Sequence, residues 1–250
     1  MKFSQDDVRN FAKEPFSSGR AAGRLLFDFG VMVSSFKQDA LEYPILDFGS
    51  GTTWVSEFCA RMGFQTVSFD INGDLIDACI KERVASDCRV NPSLLSVEQG
   101  DGHAMPFESN TFGHLLCYDT VHHMHDYPKV FSEFYRVLKP GGRAIFVEPG
   151  ARHSKSPETI AFVEFMRERD PTWIERDVVL EEMDQFAKDA GFQSGISIIP
   201  MPHPLALQNY TLSDWQSFRA GDVMQRLRFT DQLADLNYWD RVIFFADKAN

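Results

Sequence analysis

The sequence has few cysteines, and those it has make no pattern. Cys59, Cys79, Cys88 and Cys117 form no CxxC pair and have no neighbouring ligands at zinc spacing, so no metal requirement can be read from them. Three of them fall in segments that read as helix or strand interior, and buried, reduced thiols are expected. A long Lys/Arg run is missing as well: 25 basic residues stand against 36 acidic ones, a net charge of −11. Binding a large nucleic acid by counterion release needs clustered positive charge, so no nucleic-acid partner is expected. The acidity reads as a solvated surface and leaves a neutral or cationic small substrate open. No apolar run is long enough to span a bilayer, and the opening MKFSQDDVRN has no signal-peptide core, so a cytoplasmic protein without an integral membrane segment is expected. Repeats and low-complexity tracts are absent too.

What is present suits one large core. With 250 residues, 44% of them hydrophobic, the chain can bury a full interior. Short β-rich runs recur at YPILDF, QTVSFD, LLSVEQ, HLLCYD and RAIFVE, and RVIFFADK makes a last strand. Helical periodicity separates several of them: Leu75, Ile76, Cys79 and Ile80 after Asn72; Val130, Phe131, Phe134, Val137 and Leu138 after Asp126; Leu180, Met183, Phe186, Ala187 and Ala190 after Asp177, with Gly191 as the stop. Strands alternating with helices imply parallel pairing through crossovers, hence a doubly wound α/β sheet. Residues 1–40, interrupted by Pro15 and Gly19, read as short helices capping one sheet edge. The stretch before the last strand is too long to be structureless and should hold helices around Trp215 and Leu227.

The segment ILDFGSGTTW, Ile45 to Trp54, places Asp47 just ahead of Gly49 and Gly51 at a strand end. In open α/β sheets ligands bind at the carboxyl ends of strands, and glycines in the first turn let backbone approach the ligand. Asp70 ends the second strand, where an acid can accept from a ribose diol, so an adenosine-containing ligand is indicated. Trp54 occupies the place of the third glycine of a dinucleotide site, and a carboxylate at Asp47 would repel phosphates. Asp47 suits a ligand carrying an ammonium or sulfonium cation instead.

These residues resemble those of class I S-adenosylmethionine-dependent methyltransferases. LDFGSGT resembles the family's first motif, Phe69 and Asp70 its acidic second, and GDGHAMPF its adenine-contacting turn; FGHLLCYDTVHHM and FYRVLKPGGRAIFVEPG resemble its fourth- and fifth-strand segments. Thr53 departs from the pattern by replacing the third glycine, and Gly113 replaces an acid outside the ligand positions. The resemblance implies a Rossmann-like, mostly parallel seven-stranded sheet with an antiparallel last strand and S-adenosyl-L-methionine as cofactor. It implies one methyltransferase domain over 1–250, with an N-terminal cap at 1–40, a cofactor-binding core at 41–150 and an acceptor-side half at 151–250 carrying a helical insertion at about 201–239. By position, Asp47 would orient the loop and the ligand's ammonium, Gly49 and Gly51 would face the methionine part, and Asp70 would hold the ribose with Ile71 on the adenine. Asp101 would accept from the adenine amino group beside Gly102 and His103, and Cys117 or Tyr118 would offer backbone to the amino-acid end.

Methyl transfer from a sulfonium asks the protein mainly for alignment and, with a hydroxyl acceptor, for a base. DTVHHMHD offers His122, His123 and His125, and EPGARHS offers Glu148 and His153. His153, in a polar loop beyond the fifth strand, is expected to be the base, with His123 and Glu148 as the other catalytic candidates. No metal ligand set is expected, although Asp119, Glu148 and the histidines carry suitable atoms. The Asn/Asp-Pro-Pro-aromatic signature of amino-group methylases on bases or glutamine is absent. The region from EPGARHS to Asp177 is similar to methyltransferases of bacterial surface-polysaccharide synthesis, which implies O-methylation of a sugar hydroxyl near Ser154, Glu175, Arg176 and Asp177. Quinone, lipid or aromatic acceptors, and a non-catalytic cofactor-binding module, stand as alternatives. The partner is then a small molecule or glycan, and monomer and homodimer are both compatible with the sequence.

Overall fold

β1 (Ile45–Phe48) is buried on both faces, as a central parallel strand must be, and its neighbours follow from it. A computed structural model describes residues 4–168, 170–200, 210–236, 238 and 241–250. Parallel to β1 run β2 (Thr66–Asp70) on one side and β4 (Phe112–Tyr118) on the other, with β3 (Leu95–Gln99) outside β2 and β5 (Leu138–Pro149) outside β4. β7 (Arg241–Asp247) pairs antiparallel with β5, and β6 (Ser197–Ile198) closes the edge, giving the order β3-β2-β1-β4-β5-β7-β6. This is the expected seven-stranded Rossmann-like sheet with an antiparallel last strand. The strand order reverses between β1 and β4, so the crevice for a ligand opens at their carboxyl ends.

Helices α3 (Trp54–Arg61), α4 (Gly73–Ser86), α5 (Tyr127–Val137) and α7 (Leu180–Ala190) alternate with the strands. Asn72 caps α4 and Gly191 ends α7 in a left-handed conformation, as their sequences predict. Two boundaries shift. Leu138 belongs to β5 and not to the helix before it, because the chain turns extended there. Asp177 does not open α7; its carboxylate accepts from the backbone N–H and hydroxyl of Ser154 instead.

At the N-terminus, α1 (Gln5–Phe11) is a short helix as expected, whereas α2 (Gly19–Ser34) runs for 16 residues, and Phe3 lies outside the described residues. α2 covers one face of the sheet and not its edge: Leu25, Phe29 and Met32 pack with Ile45, Trp54, Leu116, Ile145 and Val147. Buried Arg83 ties this cap to the core by donating to the carbonyls of Phe11, Glu14 and Thr52 and to the Glu57 carboxylate. The segment after β5 also holds α6 (Pro157–Arg167), capped by the Ser156 hydroxyl. α8 (Leu212–Arg219) and α9 (Val223–Asp235) lie around Trp215 and Leu227 as expected, while residues 201–209 of the expected insertion lie outside the described residues. Cys59, Cys79 and Cys117 are buried and free, and Cys88 is exposed.

Candidate active site

The glycine turn between β1 and α3 is held from below. Thr53 sits at φ 63 and makes no side-chain cap, so Asp47 takes over that role from β1, accepting from the backbone N–H of Ser56 (3.0 Å) and from its hydroxyl. The Ser68 hydroxyl donates in turn to that of Ser56 (2.6 Å). Burial raises the Asp47 carboxyl to about 7, against the lowering effect of Ser56. Gly49 needs to be glycine twice over: its φ is +68, and a Cβ there would lie 2.0 Å from Thr120 Cγ2. Gly51, at φ +43, faces open space, where a Cβ would meet only the Gly49 carbonyl at 3.9 Å.

Asp70 closes the turn from β2, one oxygen accepting from the Gly51 N–H (3.0 Å) and the other from the Asn72 N–H (2.9 Å). Each carboxylate oxygen keeps a lone pair for another donor. Ile71 beside it is 73% exposed and so is open to contact with a flat ligand. Asp101 points outward; its backbone contact with His103 holds it below the usual carboxylate range, and one oxygen meets His103 Nδ1 at 2.6 Å. Gly102 stands against the Phe48 ring.

These residues fit an adenosylmethionine-like ligand on evidence internal to the site. The hydroxyls of Ser50 and Thr53, both in the glycine turn, are buried without a hydrogen-bond partner, and a buried orphan of this kind asks for a ligand or water. The open face of Gly51, the uncovered Ile71 and the outward Asp101 complete one rim.

Tyr118 has a side-chain role besides the backbone contact expected of it. Its hydroxyl donates to buried Asp28 of α2 (2.9 Å), and its carbonyl accepts from the Thr120 hydroxyl. Arg241 of β7 bridges Asp28 (3.0 Å) and Asp119 (2.8 Å), so the end of β4 is fastened to α2 and β7. The Thr120 hydroxyl also lies 3.1 Å from the Gly49 carbonyl, which joins the loop after β4 to the glycine turn.

That loop carries the histidines. Glu148, wholly buried near the end of β5, accepts from the N–H groups of Thr120 (3.0 Å) and Val121 (2.8 Å), from the Cys117 thiol and from His122 Nδ1 (2.7 Å). His122 Nε2 reaches Glu175 at 3.1 Å. Burial pushes the His122 imidazolium down, but the hydrogen bonds to Glu148 and Glu175 outweigh it and lift it to about 10. His123 is opposite in character: burial and the neighbouring charge of His122 lower it, and its Nδ1 donates to the Ile174 carbonyl (2.9 Å). With that tautomer, Nε2 of His123 keeps a free lone pair.

His153 is more occupied than the sequence reading expects. Its Nε2 lies 2.7 Å from Glu175 and its Nδ1 3.3 Å from the Thr159 hydroxyl. Glu175 receives both His122 and His153 on one oxygen and the Trp173 indole N–H on the other (3.0 Å); burial would raise its carboxyl, but the two histidines hold it well below the ordinary range. Arg176 donates to the His122, Met124 and His125 carbonyls, pinning the 170s segment along the loop.

The structure therefore gathers Gly49, Gly51, Asp70, Ile71, Asp101 and Gly102 at one rim with Asp47 buried beneath it, and His122, His123, His153, Glu148 and Glu175 at the adjoining loop. Thr120, Ser56, Asp28 and Arg241 escaped the sequence reading.

Residues 46–146 match the model of a methyltransferase domain family. The chain is 26% identical over 156 residues to phosphoethanolamine N-methyltransferase 3 of Arabidopsis thaliana, covering 61% of this chain and 29% of that protein. It is 33% identical over 132 residues to the ubiquinone/menaquinone biosynthesis C-methyltransferase UbiE of Agrobacterium fabrum, covering 50% of this chain and 48% of that protein. The chain thus spans under a third of the plant enzyme and about half of the quinone enzyme. Among solved structures, phosphoethanolamine N-methyltransferase 2 of Haemonchus contortus, in complex with phosphomonomethylethanolamine and S-adenosylhomocysteine, shares the fold with a TM-score of 0.61 at 20% identity, over 99% of this chain and 59% of that one. The YcgJ protein of Bacillus subtilis does so with a TM-score of 0.56 at 18% identity, over 90% of this chain and 99% of that one.

Proposed function

Taking residues 46–146 as an S-adenosylmethionine-dependent methyltransferase domain, we propose that the chain methylates a small molecule at a protic atom, a hydroxyl or an amine, with His123 as the base. The observation that carries this reading is the His123 tautomer: Nδ1 is committed to the Ile174 carbonyl, burial and the His122 charge favour the neutral ring, and Nε2 is left to take a proton. When bound, S-adenosylmethionine supplies a methyl group on a sulfonium, a good leaving group needing no covalent help. Asp70 would hold the ribose hydroxyls, Ile71 the adenine face, Asp101 the adenine amino group, and Gly49, Gly51 and the Tyr118 backbone the methionine part. Asp47 acts through the turn it caps. Thr120 fixes the distance between that turn and the histidine loop.

As the acceptor's oxygen or nitrogen bonds to the methyl carbon, its proton passes to His123 Nε2. The resulting imidazolium lies beside Glu175, whose carboxylate is 3.6 Å from Nδ1. Glu148, His122 and His153 hold Glu175 and the loop in place and are positioning residues on this reading. That reverses the order expected from the sequence, because both ring nitrogens of His153 are engaged.

A sugar hydroxyl, as in polysaccharide synthesis, is one such acceptor. Its polar neighbours are weaker support than they look in the sequence, since Ser154 and Asp177 bond each other and Arg176 is tied to backbone. The phosphobase named for the plant and nematode relatives is another protic acceptor. A quinone is favoured by a separate observation: Ile160, Phe162 and Phe165 of α6 and Trp215 of α8 are exposed apolar side chains, and a relative is named for quinone methylation. The test is a labelled methyl-donor assay across phosphoethanolamine, sugar nucleotides, glycans, phenols and demethylated quinones, with wild type and His123→Ala. Transfer to a hydroxyl or amine that His123→Ala loses supports the proposal. Transfer only to a quinone carbon, undiminished in the variant, rejects it.

A further inference from the structure

We infer that His122, His123 and Glu175 form a binding site for a divalent first-row transition metal such as zinc, independent of which acceptor the enzyme uses. Ring nitrogens of the two histidines and a carboxylate oxygen of Glu175 lie within 4.8 Å of one another, and side-chain movement of under about 1 Å each would bring them to the roughly 3.4 Å separation of ligands bound tetrahedrally at about 2.1 Å. His153 Nε2, 2.7 Å from Glu175, helps hold that carboxylate from outside the group.

Three donors near each other are common; what distinguishes this group is the shell behind it. A metal-bound imidazole characteristically gives its second nitrogen to a carboxylate or carbonyl, which sets its tautomer and orientation. His122 gives Nδ1 to the Glu148 carboxylate at 2.7 Å, and His123 gives Nδ1 to the Ile174 carbonyl at 2.9 Å. Glu175 is oriented too, one oxygen being held by the Trp173 indole N–H at 3.0 Å. Each prospective ligand is thus fixed through one atom, and a metal would take the place of the His122 Nε2 contact with Glu175, His122 giving up its Nε2 proton to solvent as the metal binds. Glu148 is fastened by two backbone N–H groups, so the outer shell is rigid.

The donor set selects the metal class. Imidazole nitrogens with one carboxylate suit zinc and its first-row neighbours, whereas magnesium and calcium take oxygen ligands. Three protein ligands leave coordination positions free, and half-exposed His123 places them on the accessible side of the group. Metal on His123 would occupy the proposed base, so occupancy is expected to suppress turnover.

The test uses the full chain without a histidine tag, stripped with EDTA and titrated with Zn²⁺ by calorimetry, with Mg²⁺ as the control. One equivalent of Zn²⁺ and no Mg²⁺ binding are expected. Trp173→Phe, which removes only the indole donor to Glu175, should weaken Zn²⁺ by about tenfold to a hundredfold, the usual cost of a lost outer-shell partner. Glu175→Gln should abolish stoichiometric binding while the fold is checked by circular dichroism. If Glu175→Gln fails to fold, Co²⁺ added to wild type decides, because an imidazole and carboxylate set gives visible bands without a thiolate charge-transfer band. No Zn²⁺ binding by wild type, binding undiminished in both variants, or a thiolate band from Cys88 or another cysteine would each overturn the site. None of these outcomes depends on methyl transfer, so failure of the metal site and failure of the acceptor reading are separable.

Discussion

Replacing Asp47 by asparagine should make the ligand-free protein more stable at neutral pH and a poorer binder of its cofactor. The carboxylate lies under the glycine turn with 2% of its surface exposed, and burial raises it from 3.8 to about 7. A folded-state value above the unfolded one means the native state holds the proton more tightly. The contribution of Asp47 is then fully present below about pH 4 and is lost as pH rises through about 7, where the native carboxyl ionises. At about 1.4 kcal/mol per tenfold, ionising Asp47 costs the fold roughly 4 kcal/mol in total, of which about 2–3 kcal/mol falls between pH 5 and pH 7. Asparagine keeps an acceptor for the Ser56 N–H and hydroxyl but cannot ionise. Urea unfolding of both proteins at pH 5 and pH 8 isolates this effect, because every other titrating group is common to the pair. The variant should gain about 2 kcal/mol or more on wild type between the two pH values, and calorimetry should show weaker S-adenosylmethionine binding. A stability difference that does not change with pH would refute the reasoning, since Asp47 would then be ionised in the fold throughout.

Asp70→Ala should weaken S-adenosylmethionine binding by about 1.5–3 kcal/mol, the loss of hydrogen bonds to a charged group, as read by calorimetry on the folded variant. His123→Ala should lower turnover by about 10² to 10⁴ with cofactor affinity nearly intact. His153→Ala, which frees only one donor from Glu175, should show a smaller turnover loss and a lower melting temperature. Gly49→Ala combines left-handed strain of about 1–2 kcal/mol with a Cβ 2.0 Å from Thr120 Cγ2. Thermal melts should show a loss of several degrees that Thr120→Ala only partly restores, because the Thr120 Cβ would still lie 2.7 Å away.

The local and periodic features were legible in the sequence because they are written by neighbouring residues. Alternating β-rich runs and helical faces gave the strand order its raw material, Asn72 and Gly191 marked helix ends, and Gly49 and Gly51 marked the turn by residue type. Asp70 and Asp101 were findable for the same reason: each stands at a strand end that hydrophobic pattern alone locates. Contacts between distant segments were not legible. Nothing near Asp28 announces Arg241, 213 residues away, and nothing near Thr120 announces its place against Gly49. The histidines show the division most clearly. Their position after β4 was plain, but which one keeps a free lone pair depends on Glu148 from β5, on the Ile174 carbonyl and on Glu175 from the segment before α7. A side chain's protonation and tautomer are set by the charges and dipoles packed around it, and the sequence names those groups without saying which of them meet.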